Sequence, residues 1–118
     1  MSLDDLDPVL TPPKRLACIG AIATGRKVEF STLRELLDLS DSDLSKQLKA
    51  LVDSGYVESR KTGKAAGRRT WLSITEVGRQ ALAAHAEALR ELINPASADI
   101  AADPDIAADP DTSESFVS

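Results

Sequence analysis

The stretch from Leu39 to Tyr56, LSDSDLSKQLKALVDSGY, reads as one helix with both of its ends written into the sequence. Ser40 is a capping hydroxyl, and Asp43, three residues on, can return a hydrogen bond to it while its charge sits in the positive first turn. Leu39 and Leu44 have the spacing of a hydrophobic staple. Gly55 supplies the left-handed residue at which a helix ends at little cost. Leu44, Leu48, Leu51 and Val52 recur at i, i+4, i+7 and i+8, so one stripe has to pack on the rest of the chain. The opposite face carries Ser42, Lys46, Lys49 and Asp53, with Ser45 and Gln47 on its shoulders. Small hydroxyls beside two lysines suit a helix that approaches a polyanion closely, because long side chains would hold its backbone out of a groove.

What surrounds this helix is small. The chain has 118 residues, 42% of them hydrophobic and 3% aromatic, which allows one domain with a modest core. Domains of this size often gain stability by pairing. No run approaches the ~18 apolar residues of a membrane span, and the acidic start MSLDDLDPVL lacks the basic and apolar regions of a signal peptide. The expected location is therefore the cytoplasm, without a membrane partner. The single cysteine, Cys18, excludes a disulfide within the chain and reads as a small semi-buried hydrophobe. With His85 the only histidine, the sequence offers neither a metal site nor a cofactor motif.

The formal net charge of −5 hides an asymmetry. Residues 13 to 93 hold all 14 basic residues and 10 acidic ones, a net +4, while residues 1 to 12 carry three aspartates and residues 94 to 118 carry six acids. A basic body between acidic ends points to a nucleic-acid partner.

In chain order, residues 1 to 12 read as a flexible N-terminal arm, broken by Asp7-Pro8 and Pro12-Pro13 but with Leu3, Leu6, Val9 and Leu10 spaced to lie against a surface. Thr11 is the expected cap of a first helix over Pro13 to Ala23. Val28-Glu29-Phe30 is a short edge strand, after which Ser31 is the expected cap of a second helix to Leu37. This helix, a tight turn and the helix described above make a helix-turn-helix arrangement. Residues 56 to 62 and 68 to 74 are strand-like runs joined by Gly63-Lys64-Ala65-Ala66-Gly67, so the pair reads as a hairpin held on the helices by Tyr56, Val57, Trp71 and Ile74. From Ser59 to Thr75 there are five basic residues, Arg60, Lys61, Lys64, Arg68 and Arg69, and no acid. A merely solvated hairpin would mix its charges, so this segment is expected to contact an anion.

Thr75 caps a last helix, Glu76 to about Ile93, whose ends match the helix dipole through Glu76 and Arg90. Its apolar side runs through Val77, Ala81, Leu82, His85, Ala88, Leu89, Leu92 and Ile93. The earlier elements already supply most of a core, so this alanine-rich stripe is expected to be a dimer seam, with Val77, Ala81, Leu82, His85, Leu89 and Leu92 in the interface. Beyond Asn94-Pro95 the hexapeptide DIAADP occurs twice in tandem, and residues 94 to 118 read as a disordered acidic tail. Its expected role is solubility, or competition with nucleic acid for the basic hairpin.

The succession helix, short strand, helix, helix, strand, basic loop, strand, long helix is mainly α with a small β-hairpin. Through PPKRLACIGAI, VEFSTLRELLDLSDSDLSKQLKALVDSGYV and GRRTWLSITEVGRQAL, residues 12 to about 93, it resembles the small bacterial and archaeal winged helix-turn-helix regulators related to the MarR and ArsR groups. The resemblance implies a homodimer that lays the helix from Asp41 to Ser54 in the major groove and the hairpin wing on the backbone or in the minor groove. By position it implies that Ser42, Asp43, Ser45, Lys46 and Lys49 face the groove and that Lys64, Arg68 and Arg69 belong to the wing. Relatives often have Asn where this chain has Asp43, and an acid there accepts from cytosine but repels phosphate.

The expected function is a double-stranded DNA-binding transcriptional regulator, most simply a repressor, with Lys46, Lys49 and the wing on phosphates and Ser42, Ser45 and Gln47 on base edges. The alternative is a winged-helix module that binds protein without specific DNA recognition. An enzyme is not expected. There is no glycine-rich phosphate loop and no G-x-S-x-G, and the single histidine has no nucleophile at a useful spacing. An effector is not readable from the sequence.

Overall fold

The computed structural model describes residues 3–95. Four helices, α1 (Pro13–Ile22), α2 (Phe30–Leu37), α3 (Asp41–Asp53) and α4 (Glu76–Ile93), surround three strands, β1 (Val28–Glu29), β2 (Val57–Thr62) and β3 (Arg69–Ile74). The strands form one antiparallel sheet in the order β1-β3-β2. Of the acidic tail, residues 96 to 118 lie outside the described residues.

At α3 the Ser40 cap and the Gly55 stop form as expected, whereas the Asp43 carboxylate bonds Gln47 and Lys14 instead of returning a bond to Ser40. The Ser40 hydroxyl accepts from the Asp43 amide at 3.1 Å. At the other end Gly55 adopts φ +82°, its amide donates to the Val52 carbonyl at 3.0 Å, and the Tyr56 amide donates to Leu51 at 3.0 Å. This is the Schellman pattern, which satisfies carbonyls the helix would otherwise leave open. Thr75 then joins the end of α3 to the start of α4. Its amide donates to the Tyr56 carbonyl at 2.9 Å, its hydroxyl donates to Gly55 at 2.7 Å, and the same oxygen accepts from the Gly78 amide at 2.9 Å.

Two expected caps are not used. The Thr11 hydroxyl donates to the Asp7 carbonyl at 2.7 Å and leaves Pro12 at the head of α1. At the second helix, pairing of Val28 with Leu72 and Glu29 with Trp71 ends the strand at Glu29, so Phe30 opens α2 and Ser31 lies inside it.

The core lies where the helices meet the sheet. Cys18, Ile19 and Ile22 of α1, Leu33 of α2 and Leu44, Leu48 and Leu51 of α3 pack with Val57 and Leu72 of the hairpin. Leu72, rather than Trp71, is the fully buried residue of β3. Neighbours on a strand point to opposite faces, and Trp71 is half-buried with the Lys27 ammonium 4.8 Å from its ring centroid.

The N-terminal segment is docked on the domain and is not a loose arm. Leu10 is fully buried and belongs to the core, and burial of a leucine contributes about 2 kcal/mol. Asp7 anchors the segment from several sides. Its amide donates to His85 Nδ1 at 3.0 Å, Oδ1 accepts from the Val9 amide at 2.8 Å and Oδ2 accepts from the Tyr56 hydroxyl at 2.6 Å. That last bond, followed by partial burial, raises the Tyr56 pKa above its usual value.

Candidate nucleic-acid interface

The outer face of α3 and the hairpin bound one cleft. Ser45, Lys49, Val52 and Asp53 line it from the helix, Ser59, Lys61, Thr70 and Leu72 from the strands, and Phe30 and Leu48 from beneath, around a volume of about 430 Å³. One basic residue from each side, Lys49 of α3 and Lys61 of the hairpin, lines this cleft.

On α3, Ser42, Ser45, Lys46 and Lys49 are exposed. The Lys49 ammonium pairs with Asp53 one turn on at 2.9 Å, an exchangeable surface pair. Asp43 and Gln47 are engaged differently. Gln47 is only 8% exposed, because α1 covers that shoulder of the helix, and its amide is bonded on both sides. Oε1 accepts from Arg15 Nε at 3.3 Å and Nε2 donates to Asp43 Oδ1 at 3.1 Å. Asp43 Oδ2 meets the Lys14 ammonium at 2.5 Å. The hydrogen bond from Lys14, then that from Gln47, holds the Asp43 carboxyl below the usual aspartate range. Gln47, expected among the base readers, is thus a buried polar link between α1 and α3. Asp43, besides starting the helix, has both carboxylate oxygens occupied by side chains of its own domain.

In the wing, Arg60, Lys61, Lys64, Arg68 and Arg69 are exposed. The Arg69 guanidinium lies 3.5 Å from Glu29 on the neighbouring edge strand, so its charge is shared. Ala65, Ala66 and Gly67 form a single 3-10 turn at the tip, bracketed by Lys64 and Arg68. Gly63 has φ +80°, and a Cβ there would collide with the Gly67 carbonyl across the turn, which makes the tip narrow.

The expected dimer residues of α4 divide into two groups. Val77 and Leu92 are exposed, at 59% and 41%, and Leu89 is half-buried. Ala81 and Leu82 pack on the core of their own domain, and His85 is 1% exposed beneath the N-terminal segment. His85 is therefore an interior residue rather than an interface one. Its Nδ1 takes the Asp7 amide while Nε2 has no hydrogen-bond partner among the described residues. Leu3 and Ile93 extend the exposed apolar surface, at 67% and 78%.

Sequence reasoning missed Lys14 and Arg15, which reach α3 from α1, and Asp7. The signal for Asp7 was present in Asp-Pro followed by Val9 and Leu10, since an aspartate that opens a turn bonds the backbone two residues on. Cys18 is fully buried, and desolvation, helped by the Asp43 charge and opposed by Arg15, pushes its thiol up to about 11, so it is neither a thiolate nor accessible. Among the described residues no group of three or more His, Cys, Asp or Glu side chains could hold a metal ion, and no helix is long and apolar enough to cross a membrane.

The fold is shared with known proteins. A transcriptional regulator homologue from Pyrococcus horikoshii OT3 is 28% identical with a TM-score of 0.68, over 74% of this chain and 86% of that one. A protein of Porphyromonas gingivalis W83 assigned to the MarR family of transcriptional regulators is 20% identical with a TM-score of 0.60, over 73% of this chain and 83% of that one. PadR of Bacillus subtilis, solved in complex with operator DNA, is 19% identical with a TM-score of 0.51, over 58% of this chain and 43% of that one. A search of curated proteins gave no match. The model of the winged helix DNA-binding domain matches residues 14–93, which span α1 to the end of α4, and the chain belongs to that family.

Proposed function

We propose that the protein is a sequence-specific regulator of transcription that acts as a homodimer, most simply a repressor. Its DNA would run along the cleft between α3 and the wing. The observation that supports this reading is the cleft in which Ser45 and Lys49 of α3 face Ser59 and Lys61 of the hairpin, whose stretch from Ser59 to Thr75 carries no acid. Ser42 and Ser45 are short enough to let the helix backbone approach base edges. Lys46, Lys49, Lys64, Arg68 and Arg69 are the phosphate contacts, which set affinity but carry no sequence information. PadR, solved in complex with operator DNA, is a precedent for DNA binding by a chain that shares this fold. The dimer seam is drawn through Val77, Leu92 and the half-buried Leu89 of α4 with Leu3 and Ile93, because Val77, Leu92, Leu3 and Ile93 remain exposed in the single chain.

Selection of bound duplexes from a random pool tests this reading. A two-fold dimer should enrich an inverted repeat with half-sites about one helical turn, ~10 base pairs, apart. Recovery of no preferred sequence would favour the second class, a module that binds protein.

The acidic tail gives a separate expectation. Removal of residues 95 to 118 takes away Asp99, Asp103, Asp105, Asp109, Asp111 and Glu114. If these carboxylates compete for the wing, the shortened chain binds duplex more tightly at roughly 50 mM salt, with the gain fading toward roughly 200 mM as screening shortens the reach of the charges. Equal affinities of the two chains at low salt would leave the tail without a part in DNA binding.

A further inference from the structure

The side chains between α1 and α3 form an ordered series of donors and acceptors. Arginine has only donors. With its Nε directed at Gln47, the Gln47 oxygen must face α1 and the NH2 group must face Asp43, which is the arrangement found. Asp43 Oδ1 is then filled by Gln47 and Oδ2 by Lys14. The same guanidinium donates through Nη1 to the Val9 carbonyl at 3.3 Å. Val9 follows Asp7, which is held by His85 of α4 and by Tyr56. One cation therefore touches both the docked N-terminal segment and the buried shoulder of α3.

We infer that Arg15 is a positioning residue for α3: by fixing the Gln47 amide it sets the Asp43 carboxylate against α1 and out of the groove, and through Val9 it ties that setting to the docked N-terminal segment. This rests on the reading of α3 as the DNA-facing helix. The chemistry has a direct consequence. Without the guanidinium the buried Gln47 oxygen lacks its donor, so the amide is held at one end only, through its NH2, and the Asp43 carboxylate loses the fixed donor that sets its direction. Asp43, still paired with Lys14, can then turn toward the base edges, where a carboxylate accepts from cytosine and opposes the acceptors of the other bases, so the loss depends on sequence. Lysine cannot replace the arginine, because a single ammonium does not present two donors in the fixed fork that spans Val9 and Gln47.

The test uses the full chain and the variants Arg15→Met, which keeps the apolar stem, and Arg15→Lys. Two duplexes serve as probes, the one that the wild-type protein selects from a random pool and an unselected duplex of equal length. Positioning predicts that Arg15→Met loses about tenfold on the selected duplex and much less on the unselected one, with the salt dependence unchanged, and that Arg15→Lys recovers only part of the loss. In the free protein, the NMR signals of the Gln47 side-chain NH2 and of the first-turn amides of α3 should shift in Arg15→Met. Equal losses on both duplexes with a salt slope lower by about 1 would make Arg15 a phosphate contact and overturn the inference. Unchanged binding, or an unmoved Gln47 signal, would overturn it as well. If the wild-type chain selects no sequence, the DNA-facing reading fails, and the Gln47 signal alone decides whether Arg15 orients the helix.

Discussion

Alanine at position 78 is expected to cost this domain about 3 kcal/mol or more, which for a domain of this size lowers the melting temperature by roughly 12 °C or more. Gly78 stands in the first turn of α4, where the helix crosses the chain that leaves α3. A Cβ there would run into the Tyr56 carbonyl oxygen and carbon and press on Ile74. The obstacle is backbone, and this backbone is itself fixed. The Tyr56 carbonyl accepts from the Thr75 amide and the Gly78 amide donates to the Thr75 hydroxyl, so neither side can withdraw without breaking the cap. Alanine ordinarily favours a helix over glycine by about 1 kcal/mol, and the collision has to exceed that gain before any loss shows. Gly20 in α1 supplies the comparison. A Cβ there meets nothing within 4 Å, so Gly20→Ala should hold or raise the melting temperature. Thermal unfolding of the two variants followed by circular dichroism checks both. A Gly78→Ala protein that melts within about 3 °C of wild type would mean that the α3–α4 junction is looser than described.

The parts of the fold that were legible in the sequence are those whose signals are local. Ser40, Gly55 and Thr75 each act on a neighbour within a few residues, so α3 and the start of α4 could be read directly. Gly63 and Gly67 likewise marked the wing. The unread parts depend on partners far away in sequence. Asp7 and His85 are 78 positions apart, and Asp7 and Tyr56 are 49 apart, so nothing near residue 7 announced that the segment would dock. The apolar stripe of α4 was read as a dimer seam, but a stripe does not say what covers it. At His85 the cover is the chain's own N-terminal segment. Gln47 shows the same limit on α3. A helical wheel puts it at the margin of the polar face, and only the position of α1 decides that Arg15 reaches it and that water does not. The candidate interface was accordingly legible where it is exposed, in Ser42, Ser45, Lys46, Lys49 and the wing, and illegible where a second helix determines what a side chain can touch.

Replacing Lys64, Arg68 and Arg69 together by glutamine should weaken binding to every duplex by a similar factor. Each phosphate contact contributes about 0.9 to the slope of log affinity against log salt, which at roughly 0.15 M salt corresponds to about fivefold in affinity per contact. Three full contacts would be worth on the order of 150-fold and two on the order of 30-fold. The lower figure is the better expectation here, because Arg69 already shares its charge with Glu29 at 3.5 Å and gives up part of that pairing when it turns to DNA. The slope should fall by about 2. Glutamine keeps much of the length and polarity of the side chains, all three positions are exposed, and none contributes to the core, so the fold should be unaffected. The discriminating comparison is Ser45→Ala on α3. That change removes a hydroxyl and no charge, so it should leave the slope alone and relax preference at one base pair. Binding isotherms of wild type, the triple variant and Ser45→Ala on a selected and an unselected duplex, over a range of salt concentrations, separate the two roles. A triple variant with wild-type affinity and slope would remove the wing from the interface. Were Ser45→Ala to flatten the slope while the triple variant changed sequence preference, the assignments of the two surfaces would have to be exchanged.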